Sequence, residues 1–249
     1  MNSLKVKASA PGKLILLGEY AVLENAPALV AAVNKQCRVE IKSVAGPLFN
    51  FAAPNLGLFD LEFTLDSDGN AQIINVKNGS SSKKTGFIFS ILKYVVSRAG
   101  YKMASADIKI DTSDFYHPLS KQKLGLGSSA ALTVSFLKAL KEYSGDNWFG
   151  SNIFGEALKA HRAAQGKLGS GVDIASSVSG GIIEYRMPSL KMISEAAINQ
   201  LDWPENLHVI AIWTGSSTST RSFVRNVQAF RDKIPHVYSS IMEKMNDLC

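Results

Sequence analysis

A glycine-rich turn that leads straight into a helix start carries the clearest chemistry in this chain. It reads Gly125-Leu-Gly-Ser-Ser-Ala-Ala131. Glycine takes backbone angles that are closed to other residues, and its missing side chain lets an oxyanion approach the main chain. The free N–H groups of a first helical turn and the positive end of the helix dipole attract such an anion. The segment therefore predicts a phosphate site, while an ordinary helix cap is the alternative interpretation of Gly-Ser-Ser.

Hydrophobic spacing predicts the helices that must position this turn. A helix is expected directly after it, because apolar residues recur at helical spacing at Leu132, Phe136, Leu140 and Tyr143. Two further helices are expected at residues 85–98 and 152–165, each followed closely by a glycine. Another helix is expected at residues 238–248.

Strands are predicted between these helices. Alternating polar and apolar residues predict half-exposed strands at 38–42 and 107–111. An apolar run predicts a buried strand at 207–213. A mixture of such strands with segregated helices favours the α+β class.

Composition narrows the function classes. The chain has 249 residues, of which 46% are hydrophobic, so it can bury a core. Its formal net charge is +6, but the lysines and arginines are scattered, which favours small polyanionic substrates over nucleic acid. Cys37 and Cys249 lack metal or disulfide spacing, which fits a reducing cytoplasm. No apolar run approaches the roughly 20 residues of a membrane span, so no membrane partner is expected.

Two more glycine-containing blocks accompany the turn. One is Pro11-Gly-Lys-Leu-Ile-Leu-Leu-Gly-Glu-Tyr-Ala-Val-Leu23, and the other is Gly169-Ser-Gly-Val-Asp-Ile-Ala-Ser176. In order and spacing the three blocks resemble the signature segments of the GHMP kinase superfamily, which includes galactokinase, homoserine kinase, mevalonate kinase and phosphomevalonate kinase. The turn lacks the Gly-Lys-Ser/Thr ending of a P-loop. The resemblance covers residues from about 5 to about 227 and implies an ATP-dependent small-molecule kinase.

The resemblance also implies an architecture. It predicts a two-lobed α+β GHMP kinase fold with a mixed sheet and segregated helices. Residues 1–180 are then the N-terminal nucleotide-binding lobe, and residues 181–249 begin a C-terminal lobe. A further family block of the Gly-Ala-Gly-Gly-Gly type is missing, so we expect that lobe to be incomplete. The oligomeric state is left open by the sequence.

Phosphoryl transfer needs a held triphosphate, a bridging metal and positive charge where negative charge develops. By the resemblance, Asp173 contacts the acceptor hydroxyl as base or orienter, and Lys13 lies near it and stabilises the transferring group. Ser129 places its hydroxyl on Mg²⁺. An Asp at a helix start is also a common cap, and a Lys in an apolar segment is also a common surface residue. The implied ATP cradle comprises Gly125, Leu126, Gly127, Ser128, Ser129, Ala130 and Ala131.

The acceptor side of the site is implied in the same way. A hydroxyl-rich loop ends at Arg221, whose guanidinium suits an anionic acceptor, although a solvated loop before a helix is the alternative. Glu19 and Tyr20 also fit the end of a strand, and His161 and His208 are expected to be structural. The resemblance places the acceptor against Glu19, Tyr20, Ser170, Gly171 and Arg221.

Three details favour phosphomevalonate kinases over mevalonate kinases. Tyr20 stands where mevalonate kinases usually carry His. Arg162 stands where they place a Mg²⁺-binding glutamate, and it can hold an acceptor phosphate or pair on a helix face. The segments 160–175 and 213–221 resemble phosphomevalonate kinase segments. The sequence thus predicts phosphorylation of 5-phosphomevalonate, with mevalonate kinase or a catalytically silent nucleotide-binding member as alternatives.

Overall fold

The strands of the described chain all belong to one mixed sheet. The computed structural model describes residues 4–79, 83–99, 103–145, 152–166, 169–187, 195–216 and 220–248. Within these residues the strands are β1 (Lys5–Leu17), β2 (Ala28–Ser43), β3 (Phe49–Ala53), β4 (Leu58–Leu65), β5 (Ala71–Gly79), β6 (Ala106–Asp111), β7 (Ile182–Arg186) and β8 (Ala197–Leu201). The strands predicted at 38–42 and 107–111 lie inside β2 and β6.

The long strand β2 organises the sheet. The order is β5-β4-β3-β6-β2-β7-β8, and β1 also pairs with β2. Residues 38–43 of β2 pair with β6 and residues 28–31 pair with β7, so β6 and β7 lie end to end along one edge of β2. The pairings are antiparallel except that between β3 and β6. Because β7 and β8 continue the same sheet, the division at residue 180 stays a prediction.

A bulge interrupts the ladder between β1 and β2. Pro11 lies opposite Gln36 and Gly12 lies opposite Val33, so residues 34 and 35 of β2 have no partner on β1. The buried face of β2 changes across this irregular stretch, whereas regular alternation with a period of two would keep it. The buried positions are even-numbered before it and odd-numbered after it: Ala28, Val30, Cys37, Val39 and Ile41.

Helices pack on the sheet and on one another. They are α1 (Lys83–Ala99), α2 (Ser128–Ser144), α3 (Ile153–Gln165), α4 (Val172–Ser179), α5 (Thr220–Lys233) and α6 (Pro235–Leu248). Helices α2 and α4 contact β1 and β2 directly, and α3 packs against α1, α2 and α4. The α+β class with a mixed sheet is confirmed, and the predicted helices after residue 127 and at 152–165 coincide with α2 and α3. No helix in the described ranges is long and apolar enough to cross a bilayer.

Residues 202–216 differ from the sequence-based expectation. The buried strand predicted at 207–213 is wrong, because this segment has no regular secondary structure and its apolar side chains face solvent. Ile210 is 85% exposed and Ile212 is 83% exposed. An apolar strand forms when its backbone pairs and its side chains pack, and none of the named strands of the described residues pairs with this segment.

Candidate active site

The glycine turn has the backbone geometry of an anion cradle. Gly125 and Gly127 have φ angles of +81° and +73°, which only glycine adopts without strain. Gly127 stands at the N-cap of α2, and no side chain caps that helix. The cradle carbonyl of Leu126 accepts a hydrogen bond of 3.0 Å from the Lys13 amide, which ties the turn to β1.

Lys13 lies across this turn. A Cβ built on Gly127 would lie 3.0 Å from Lys13 Cγ and 3.6 Å from Lys13 Cε, so the lysine stem occupies the space that a side chain there would need. A Cβ on Gly12 would lie 2.5 Å from the Leu126 carbonyl oxygen, so the close approach of β1 to the cradle requires glycine. The first two blocks therefore meet, and Lys13 is beside the predicted phosphate position.

The third block also meets β1. Gly171 has a φ of +76° at the N-cap of α4 and, as a glycine, contributes no side chain to cap the helix. Asp173 lies in the first turn of α4, where its Oδ1 accepts a hydrogen bond of 3.1 Å from the Ile174 amide. Ser177 Oγ donates to the Pro11 carbonyl at 2.8 Å, which holds α4 on β1 two residues from Lys13. The structure thus brings all three blocks to one strand.

The loop before Asp173 is fixed at two successive carbonyls. Arg162 Nη2 donates to the Gly169 carbonyl at 3.0 Å, and the Tyr185 hydroxyl donates to the Ser170 carbonyl. Arg162 Nε is buried without a hydrogen-bond partner. Burial lowers the pKa of Arg162 and raises that of Tyr185; at Tyr185 the charge of Arg162 opposes this rise and that of Asp173 adds to it. Arg162 is therefore a loop-holding residue rather than a helix-face ion pair, and the role of Tyr185 was missed from the sequence.

The Ser129 hydroxyl contacts two side chains of α3. Ser129 Oγ lies 3.3 Å from His161 Nε2 and 3.2 Å from Gln165 Nε2. His161 is only 8% exposed, and burial lowers its pKa while the nearby charge of Asp173 opposes this shift. The i, i+4 spacing of His161 and Gln165 is visible in the sequence, but Ser129 is 32 residues away from His161 and nothing local links them.

The other residues predicted to contact the acceptor are Glu19, Tyr20 and Arg221. Glu19 and Tyr20 follow the end of β1 in a turn, where Gly18 has a φ of +80° and Tyr20 a φ of +68°. Burial, followed by the charge of Glu19, raises the pKa of Tyr20. The backbone of Arg221 lies in the first turn of α5, and its side chain lies outside the described residues.

Comparison with known proteins shows what this region is similar to. Residues 86–181 match the family model of the GHMP kinases N terminal domain, and this range includes the cradle, α3 and α4. This part of the chain is therefore similar to the N-terminal domain of GHMP kinases.

Individual proteins are similar to most of the chain. A mevalonate kinase of Pyrococcus furiosus is 27% identical over 242 residues, which cover 97% of this chain and 67% of the relative. A phosphomevalonate kinase of a Streptomyces species is 26% identical over 250 residues, which cover 88% of this chain and 64% of the relative. The chain thus spans about two thirds of the length of these relatives. The crystal structure of a Lin0012 protein from Listeria innocua aligns with a TM-score of 0.76 at 24% identity, covering 98% of this chain and 70% of that one, and this likeness shows the fold.

Proposed function

We propose that this chain carries the active site of an ATP-dependent kinase that phosphorylates 5-phosphomevalonate to 5-diphosphomevalonate. The observation that carries the proposal is the convergence of the three glycine blocks on β1. It depends on the hydrogen bonds from the Lys13 amide to Leu126 and from Ser177 to Pro11. The kinase relatives support the reaction class. A cytoplasmic location belongs to the same proposal, because the two cysteines lack disulfide spacing.

In this proposal the phosphates of ATP bind at the cradle. The uncapped start of α2 presents N–H groups and a partial positive charge to them. The Lys13 stem lies against Gly127, and in this proposal its ammonium group faces the transferring phosphoryl group. Charge fixed there before the reaction stabilises the transition state without reorganisation.

The cradle also fits Mg²⁺. No group of three His, Cys, Asp or Glu side chains clusters as a metal site within the described ranges, so a site made only of such residues is not seen there. Mg²⁺ commonly takes few protein ligands and completes its shell with phosphate oxygens and water. Ser129 at the helix start supplies one hard oxygen beside the phosphate position. When bound, the ion neutralises charge on the phosphates.

Asp173 is the proposed base or orienter for the acceptor hydroxyl. The loop that leads into it is held at the Gly169 and Ser170 carbonyls, so the backbone of Asp173 is fixed relative to β1. Its carboxylate accepts the proton of the hydroxyl or aligns that oxygen for attack. The acceptor oxygen then forms a bond to the γ-phosphorus of ATP, and ADP leaves.

Arg162 favours an acceptor that is itself anionic. The Arg162 guanidinium lies beside the loop that leads to Asp173, and in this proposal it also binds a phosphate on the acceptor. An arginine cannot ligate a cation, so the metal role of a glutamate at this position is excluded here. Mevalonate is the second candidate acceptor, because the Pyrococcus furiosus relative is a mevalonate kinase.

The experiment measures Mg²⁺-dependent ADP release against mevalonate, 5-phosphomevalonate, homoserine and sugars. We expect 5-phosphomevalonate to be the preferred acceptor. Arg162→Met should lower kcat/KM about ten- to hundredfold for 5-phosphomevalonate and much less for mevalonate, because only the former has a phosphate to hold. Tyr185→Phe is the matched control, since it loosens the same loop without removing a charge and should affect both acceptors alike.

Other outcomes assign other functions. A wild-type preference for mevalonate makes the enzyme a mevalonate kinase. Nucleotide binding without turnover of any acceptor favours a catalytically silent nucleotide-binding protein. Equal effects of Arg162→Met on both acceptors remove the phosphate contact from the proposal.

A further inference from the structure

Two side chains of α3 converge on the hydroxyl of Ser129. His161 Nε2 and Gln165 Nε2 lie 3.3 Å and 3.2 Å from Ser129 Oγ, and the two nitrogens are 3.0 Å apart. His161 and Gln165 are one helical turn apart and project from the same face of α3. The three polar atoms therefore form a closed triangle between the start of α2 and the end of α3.

The donors in this triangle determine its hydrogen bonds. An amide nitrogen only donates, so Gln165 donates to Ser129 Oγ and to His161 Nε2. His161 Nε2 is then an acceptor, and the ring proton lies on Nδ1. Nε2 has a single lone pair, so the Ser129 hydroxyl shares it with Gln165 and forms the weaker bond at 3.3 Å. A serine oxygen that accepts from Gln165 and donates to His161 keeps one lone pair for a further ligand.

We infer that His161 and Gln165 are positioning residues that orient the Ser129 hydroxyl so that its remaining lone pair faces the cation on the ATP phosphates. The inference rests on the proposed function, in which Ser129 is a ligand of Mg²⁺. Partners that orient a metal ligand in this way typically change metal affinity or activity by about 10- to 100-fold when they are removed.

The surroundings of His161 keep its ring in place. The ring meets Phe87 of α1 edge-on, with centroids 5.9 Å apart and planes at 83°. It is 8% exposed, so it has little room to turn. A space-filling role would need only a ring of this size, whereas the positioning role needs the acceptor nitrogen. This difference can be tested by substitution.

The test uses the full chain and isothermal titration with ATP, once with Mg²⁺ and once with EDTA. His161→Phe keeps the ring and removes the acceptor. It should reduce the gain in ATP affinity that Mg²⁺ provides by about 10-fold or more, with ATP affinity in EDTA unchanged. Gln165→Leu should reduce the gain less, because the bond to His161 remains. His161→Gln should restore much of the gain, because its amide oxygen can reach the position of Nε2.

Glu156→Gln is the control for general damage to α3. Glu156 lies five residues before His161 and bonds Arg98 and Lys159, so its loss should lower Tm and leave the Mg²⁺ effect intact. The inference is overturned if His161→Phe keeps the gain in ATP affinity that Mg²⁺ provides. It is also overturned if His161→Gln loses as much of that gain as His161→Phe does. A wild-type protein whose ATP affinity ignores Mg²⁺ overturns both the metal role of Ser129 and the inference. Mg²⁺-dependent ATP binding without turnover of any acceptor overturns the proposed reaction alone.

Discussion

The neighbouring helices α2 and α3 begin in different ways. At α3 the side chain of Asn152 accepts a hydrogen bond of 2.8 Å from the Gly155 amide, so the helix satisfies part of its own first turn. At α2 the N-cap is Gly127 in the left-handed conformation, with no side-chain cap. A helix start that closes on itself serves stability, whereas an open one leaves its N–H groups for a ligand.

The conformation of the glycines makes the same distinction. N-cap residues normally have extended backbone angles, and left-handed glycines normally end helices. Gly145 and Gly166 follow this rule at the ends of α2 and α3. Gly127 and Gly171 have left-handed angles at helix starts, which indicates that these two turns are shaped by something other than helix capping.

The largest expected effect comes from filling the open start of α2. Gly127→Val should reduce ATP affinity beyond about a hundredfold, since it blocks the left-handed angle, displaces Lys13 and removes charge-assisted hydrogen bonds of about 1.5–3 kcal/mol each. Isothermal titration is the measurement. Gly145→Val is the matched control, because Gly145 has a φ of +70° on the same helix with open space around it. Equal ATP affinity in the two variants would remove the cradle from the site.

The role of the start of α4 is tested by measuring kcat in variants of Asp173 and of the neighbouring Lys13. Asp173→Asn and Lys13→Met should each lower kcat by about 10² or more, the scale of a lost base or electrostatic stabiliser, with modest changes in ATP affinity. Steady-state ADP release measures this. A near-normal kcat in either variant contradicts the role assigned to that residue.

A substitution in the middle of α3 should change the free energy of unfolding rather than catalysis. Burial favours a higher pKa for Glu156, but hydrogen bonds from Tyr94 and Lys159, with the charge of Arg98, lower its pKa below the ordinary value. A lowered folded-state pKa stabilises the fold above the unfolded pKa, and this stability is lost as the pH falls through the folded value. Glu156→Gln should cost about 1.5–3 kcal/mol of unfolding free energy at neutral pH.

Urea unfolding at several pH values checks this prediction. The difference between the wild-type protein and Glu156→Gln should shrink as the pH falls below about 4, near the ordinary pKa of a glutamate. A difference that is constant with pH would show that the carboxylate charge is not the stabilising feature.

The smallest effect is expected at the closed start of α3. Asn152→Ala should lower the unfolding free energy by about 1 kcal/mol, the usual value of an N-cap, and leave ATP affinity unchanged. Thermal unfolding and ATP titration on the same sample measure both quantities. A loss of ATP affinity here would show that the two helix starts do not divide stability and binding between them.

The sequence predicted local features well and tertiary ones poorly. Helices α2 and α3 were predicted because apolar spacing and end glycines act within a few residues. The buried strand at 207–213 was predicted wrongly, because burial depends on partners that an apolar run does not specify. The contacts of Arg162 with Gly169 and of Tyr185 with Ser170 set the loop before Asp173, and they follow from how α3, α4 and β7 pack.

The bulge in β2 lets both halves of this strand bury side chains. Val30 and Cys37 are both buried although they are seven positions apart, and regular alternation would place residues an odd number apart on opposite faces. The irregular stretch at residues 34 and 35 removes this conflict, and it lies where β2 pairs with the β1 residues next to Lys13.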